Sequence, residues 1–166
     1  MQRLLSAFLL LVLISGCGYL PASKQARKVV GEKLYVEVVV PLQDPENAVI
    51  IKDATRNAVV TRFHSSLVPR NEAKTELLVT MSSISFSPLQ YDTNGYIIVY
   101  RANIVLKVTR SGNGEVKTYT SKGNFDFTIE PNAVITDNQR RDAISQASLK
   151  ALDSFVAQVG AEGIKL

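Results

Sequence analysis

Tyr96-Ile97-Ile98-Val99-Tyr100-Arg101-Ala102-Asn103-Ile104-Val105-Leu106-Lys107-Val108-Thr109 is the stretch on which the fold turns. Tyr96, Ile98, Tyr100, Ala102, Ile104, Leu106 and Val108 fall on one side; Ile97, Val99, Arg101, Asn103, Val105 and Lys107 fall on the other. A period of two kept up over this length is that of a long β-strand with one buried face. Ser111-Gly112-Asn113-Gly114 follows, a hairpin turn in which Asn and Gly tolerate positive φ. The next strand, about Val116 to Ile129, carries Tyr119, Phe125 and Phe127. Upstream, Tyr91-Asp92-Thr93-Asn94-Gly95 is a second turn, and another strand precedes it from Glu76 towards Phe86. There Leu77, Val79 and Met81 share a face, then the apolar parity moves to Ile84 and Phe86, which predicts a bulge or a change of neighbour near Ser82-Ser83.

Helices flank these strands. Asp44-Pro45-Glu46 supplies an N-cap, a proline at the first helical position and an early acid. The helix runs to about Ser65, with a stripe of Ile51, Ala54, Thr55, Ala58, Val59 and Phe63. Before it, Leu34 to Val40 reads as a strand buried on both sides and closed by Pro41. Thr136-x-x-Gln139 is a capping-box pattern opening a last helix. Its stripe is Ile144, Ala147, Ala151, Leu152, Phe155 and Val159, and Gly160 is the expected stop. The order is β-α-β-β-β-α. The expected fold class is α+β, a two-layer sandwich with two helices on one face of a four-stranded, mostly antiparallel sheet.

The N-terminus is of another kind. Arg3 precedes a short apolar run, Leu4 to Ile14, and then Ser15-Gly16-Cys17. The run has the anatomy of a secretory signal and is too short for a permanent span. Aliphatic, small, small, cysteine resembles the lipobox of bacterial lipoproteins, where the cysteine is acylated and the signal is cut before it. A plain signal peptide with an incidental cysteine is the competing reading. Cys17 is the single cysteine of the chain, so it has no disulfide partner within it. The expected division is residues 1–16 as signal, 17–32 as acylated Cys17 and tether, and 33–166 as one domain. Gly18, in place of an aspartate, resembles the outer-membrane default of such lipoproteins. Lys24, Arg27, Lys28 and Lys33 of the tether either touch anionic head groups or stay solvated, and the solvated linker is preferred.

The chain has 166 residues, 19 Lys and Arg against 15 Asp and Glu, and a net charge of +4. That mild balance calls for no nucleic acid and is compatible with an anionic partner such as a phosphorylated lipid. A metal site needs clustered Cys, His and carboxylates, and His64 is the lone histidine. No Gly-x-Ser-x-Gly elbow and no phosphate loop after a strand are present. No catalytic, cofactor or metal residues are expected. What remains is the sheet face that two helices leave open, with Arg101, Lys107 and Arg110 on or just past one strand and Lys117 and Lys122 on the next. Cations mixed with Ile97, Val99 and Tyr119 suit an amphipathic anion, phosphates to the cations and acyl or sugar faces to the apolar groups. The competing reading is a solvated face with Lys and Arg as edge protection.

Cys17-Gly18-Tyr19 after the lipobox, the βαβββα order, Asp44-Pro45-Glu46-Asn47, Ile51-Lys52-Asp53-Ala54, Phe86-Ser87-Pro88 and Tyr91-Asp92-x-Asn94-Gly95-Tyr96 together resemble the lipopolysaccharide-assembly lipoprotein (LptE) family. The resemblance implies two helices on a four-stranded sheet. It also implies a non-enzymatic outer-membrane lipoprotein that plugs, and assists assembly of, a large LptD-type β-barrel and binds lipopolysaccharide. On that reading Arg101 matches a lipid-contacting position loosely, and Lys107, Arg110, Lys117 and Lys122 come from the face argument. The partners are the barrel, lipopolysaccharide, and outer-membrane phospholipid through the anchor. Two other lipoprotein classes stand as alternatives: an auxiliary subunit of a phospholipid transporter, or an activator of a cell-wall synthase.

Overall fold

The computed structural model describes residues 22–39, 45–112 and 114–164. Cys17, Pro41, Asp44 and Asn113 lie outside the described residues. Nine elements follow in order: α1 (Ala22–Val30), β1 (Lys33–Val39), α2 (Pro45–Arg62), β2 (Ser66–Leu67), a 3₁₀ turn (Arg70–Glu72), β3 (Thr75–Tyr91), β4 (Ile97–Gly112), β5 (Glu115–Thr128) and α3 (Asp137–Gly163). The sheet order is β2-β1-β3-β4-β5. β1 runs parallel to both β2 and β3, and β3, β4 and β5 form an antiparallel meander.

The class is α+β, as the pattern predicts, but the detail differs from two helices on four strands: the described residues form three helices and a five-stranded mixed sheet. The added strand, β2, is two residues long and pairs Ser66 with Lys33 and Leu67 with Leu34. It is too short to show a period. The added helix, α1, occupies the stretch expected to be a tether. Its Gln25, Ala26, Val29 and Val30 are buried while Lys24 and Lys28 are exposed. α1 ends at Gly31, whose φ of +84° is the left-handed stop of many helices and whose N–H donates to the Arg27 carbonyl at 2.8 Å. A nine-residue helix has little stability alone. α1 is held by α3: a Cβ placed on Gly163 would meet the Gln25 carbonyl oxygen at 2.3 Å and a Val29 methyl at 3.2 Å. That contact also accounts for the end of α3. The helix does not stop at Gly160, which is buried within it, but continues to Gly163.

β4 obeys the expected parity. Ala102, Ile104, Leu106 and Val108 are buried against the helices, and their odd-numbered neighbours face away. β3 carries a register shift between Met81 and Ser83, so Met81 pairs with Leu106 and Ser83 with Val105. The bulge restores Ile84 and Phe86 to the covered side. β1 is covered on one face only, burying Leu34 while Glu37 and Val39 are exposed, because the described helices all pack on the other side. Its run of valines therefore does not mark a doubly buried strand.

α2 buries the predicted stripe from Ile51 to Phe63. It ends where His64 takes a φ of +53° and the Ser65 N–H reaches back to the Val59 carbonyl at 3.5 Å. His64 is an exposed helix-terminal residue. α3 opens with the predicted capping box: the Thr136 hydroxyl accepts from the Gln139 N–H and the Gln139 side chain accepts from the Thr136 N–H. Phe155 joins the layers, with Phe63 of α2's end at 5.8 Å and Tyr119 of β5 at 5.3 Å, both edge-on.

Candidate functional site

The face of the sheet that the described residues leave uncovered is built by the residues that the bulge and the strand parity turn away from the helices. β3 contributes Thr80, Ser83, Ser85 and Ser87; β4 contributes Arg101, Asn103, Val105, Lys107 and Thr109; β5 contributes Thr118, Thr120, Lys122, Asn124 and Asp126. Hydroxyls and amides dominate. Asn103 Nδ2 donates to Ser87 Oγ at 3.2 Å, and the Thr109 and Thr118 hydroxyls are 3.1 Å apart.

The predicted cations divide into two groups. Lys107 and Lys122 are both exposed on this face. Lys107 stands opposite Thr120 and Val105 opposite Lys122, so the two lysines are diagonal neighbours, and neither forms an ion pair with a described carboxylate. Arg101 is on the same face, but its guanidinium grips Asp126 through Nε at 2.6 Å and a terminal nitrogen at 2.7 Å. The hydrogen bonds and charge of Arg101 hold the Asp126 carboxyl below its usual value, and those of Asp126 raise Arg101. Arg101 thus reaches an anion only with the donors that this bidentate pair leaves over.

Arg110 and Lys117 are not on this face. Arg110 shares the parity of Val108, and its side chain is only 4% exposed. It donates to Glu115 at 2.7 Å and to Glu162 of α3 at 3.3 Å. Lys117 shares the parity of Tyr119, and both donate to Glu162 Oε2 at 2.7 Å. The network pins the β4–β5 turn to the end of α3. Burial pushes the Glu162 carboxyl up, but the hydrogen bonds of Lys117 and Tyr119 outweigh it and leave Glu162 below its usual value. For Arg110, burial acts against the charge, and the hydrogen bonds of Glu115 and Tyr119 overcome it. These two cations are engaged in holding the fold.

A second surface lies where β3, β4 and β5 extend beyond β1. Tyr100 stacks on Phe127 at 6.2 Å, Phe86 meets Phe127 edge-on at 6.1 Å, and Arg140 of α3 lies over Phe86 at 5.0 Å. A depression of about 320 Å³ beside them is lined by Tyr91, Tyr96, Ile97, Tyr100 and Val134. The sequence displays these aromatics, but their convergence depends on the bulge in β3 and on the placement of α3. The Ser83, Ser85, Ser87 alternation was the readable sign of the polar face. No group of three or more His, Cys, Asp and Glu side chains suited to a metal occurs among the described residues.

Solved structures share the fold at low identity. A protein from Xanthomonas campestris matches with a TM-score of 0.55 and 10% identity, covering 83% of this chain and 90% of its own. A putative lipoprotein from Caulobacter crescentus matches at 0.53 and 8%, covering 87% and 96%. The rare lipoprotein B from Shewanella oneidensis matches at 0.50 and 11%, covering 79% and 97%. No significant relative was found among curated proteins. The family model LptE, lipopolysaccharide-assembly, matches residues 35–159, which run from β1 through most of α3. With three quarters of its length and its whole meander inside that match, the chain belongs to the lipopolysaccharide-assembly LptE family.

Proposed function

We propose that this chain is a non-enzymatic outer-membrane lipoprotein, acylated at Cys17, that plugs and assists assembly of an LptD-type lipopolysaccharide-inserting β-barrel. On this proposal it binds lipopolysaccharide during transport to the cell surface. The observation that carries the reading is the uncovered sheet face. It is a broad surface of hydroxyls and amides on which Lys107 and Lys122 have no carboxylate partner among the described residues. Such a face suits the sugars and phosphates of an amphipathic anion and the polar wall of a barrel lumen. Arg101 stands at its edge with part of its donor capacity engaged. The half-covered aromatics at the far end of the strands lie on the opposite, helix-bearing side of the sheet and supply a separate apolar surface.

The test is a mild-detergent pull-down with a C-terminal tag, followed by mass spectrometry. Near-equal recovery of one large β-barrel is expected. Recovery of a transport ATPase or a cell-wall synthase in its place overturns the proposal. Intact-mass analysis of the purified protein, expected to show a diacyl or triacyl Cys17 as the first residue, tests the anchor separately.

A further inference from the structure

We infer that α1 and the start of β1 form a membrane-apposed surface that lies on anionic phospholipid head groups. The inference rests on the proposed acylation of Cys17. Only residues 18–21 separate Cys17 from α1, and an extended chain advances at most about 3.5 Å per residue, so α1 begins within about 18 Å of the acylated sulfur's own residue. α1 is not free to swing on this short connection. Ala26, Val29 and Val30 are buried, and the Gln25 backbone is seated against Gly163. The end of the domain that carries α1 is therefore held close to the bilayer in which the proposed anchor sits.

That side is basic. Lys24 and Lys28 are exposed on α1, Lys33 opens β1, and Lys74 is joined to it by a hydrogen bond from the Lys74 N–H to the Lys33 carbonyl at 3.2 Å. None of the four forms an ion pair with a described carboxylate. Four acids of this end are already engaged, Glu32 by Arg27 at 2.8 Å, Glu76 by Arg70 at 2.8 Å, and Glu115 and Glu162 by Arg110 and Lys117, which leaves exposed Glu72 beside Lys74 to offset a part of the lysine charge. α1 has no acidic residue. The uncompensated positive charge is thus gathered where the anchor leaves the domain. Clustered lysines beside a membrane anchor are attracted to anionic head groups within about a Debye length of the surface. α1 also precedes the span that the family model matches.

The test uses the acylated protein purified from membranes and reconstituted on vesicles. One set contains phosphatidylglycerol with phosphatidylethanolamine, and the other phosphatidylcholine alone. A water-soluble amine-acylating reagent then reports lysine accessibility. Labelling of Lys24, Lys28, Lys33 and Lys74 is expected to fall several-fold on the phosphatidylglycerol vesicles and to return in high salt. Lys52 and Lys150 are expected to label alike on both. Lys24→Glu with Lys28→Glu is expected to abolish the protection at Lys33 and Lys74 while the protein stays vesicle-bound. Equal labelling on both vesicle types by a bound protein overturns the inference and leaves the anchor standing. A protein that fails to sediment with either vesicle overturns the anchor and this inference with it. Protection that needs a co-purified barrel and ignores lipid charge assigns the surface to a protein partner and overturns it as well.

Discussion

Gly123 of β5 lies so close beneath Ala147 of α3 that a Cβ at position 123 would stand 2.0 Å from the Ala147 carbonyl oxygen and 2.4 Å from the Ala151 nitrogen. The contact is backbone on backbone, so no flexible side chain can yield. Gly123→Ala is expected to push α3 off the sheet and lower stability by about 3 kcal/mol, at the upper end of core overpacking. Urea denaturation checks it. A fall of less than 1 kcal/mol would mean that α3 crosses β5 elsewhere.

The network at the C-terminal end of α3 makes a prediction for acid. Glu162 is held below its usual value of 4.5, so the unfolded chain binds its proton more readily than the native one. Its contribution to stability is complete above that value and is lost as pH falls through the lower native one. Glu162→Gln is expected to be less stable at neutral pH and to lose less on acidification from about pH 5 to 3. Thermal unfolding across that range reads both effects. Parallel curves for the two proteins would contradict the assignment.

Arg110→Met removes the cation but fills its volume. The expected cost is about 2 kcal/mol, below that of stranding a lone buried charge, because Glu162 keeps Lys117 and Tyr119. Lipopolysaccharide binding is expected to be unchanged by this substitution once the protein is folded, since the side chain is covered. A binding loss at full folding would restore Arg110 to the contact surface.

Lys107→Glu with Lys122→Glu carries the opposite expectation. Both side chains are exposed and have no carboxylate partner among the described residues, so unfolding is expected to shift by no more than about 0.5 kcal/mol per substitution. Capture of lipopolysaccharide is expected to fall at least tenfold, or about 1.4 kcal/mol. Undiminished capture removes this face from the binding surface.

At the far end of the meander, Phe127→Ala loses one stacked and one edge-on aromatic partner. The expected loss is about 2 kcal/mol from the two pairs and their burial. Hydrogen exchange is expected to rise in β3 and β5 near Phe86 and Phe127 while the α3-covered half stays protected. Uniform acceleration across the sheet would show that the strands open as one unit.

What could be read in advance follows from how local each signal is. The parity of β4, the bulge after Met81 and the capping box at Thr136 are each written within a few neighbouring residues. α1 also has a helical spacing, with Ala26, Val29 and Val30 set apart from Lys24, Arg27 and Lys28, but so short and polar a segment reads equally as a solvated tether, and the contact that holds it, Gly163, is far along the chain. β2 is set by Glu32, whose carbonyl accepts the Ser66 N–H at 2.7 Å. The misplacing of Arg110 and Lys117 has a related cause. Both carry the parity of buried neighbours; the covered Arg110 is met there by Glu115 and by Glu162 of α3, and the partly exposed Lys117 reaches the same Glu162. Counting charge in place of parity put them on the open face.

The parallel seating of β1 against β3 has a consequence for the order of assembly. β3, β4 and β5 pair with chain neighbours through tight turns, so the meander closes its loops at low entropic cost. β1 must wait for the crossover through α2 before Leu34 can meet Thr75 and Val38 can meet Val79. A meander that forms first carries a naked β3 edge until the N-terminal segment returns. On the proposed acylation of Cys17, that return brings the anchored end home last, and the interval is when a holding factor or a like strand would find a backbone ready to pair.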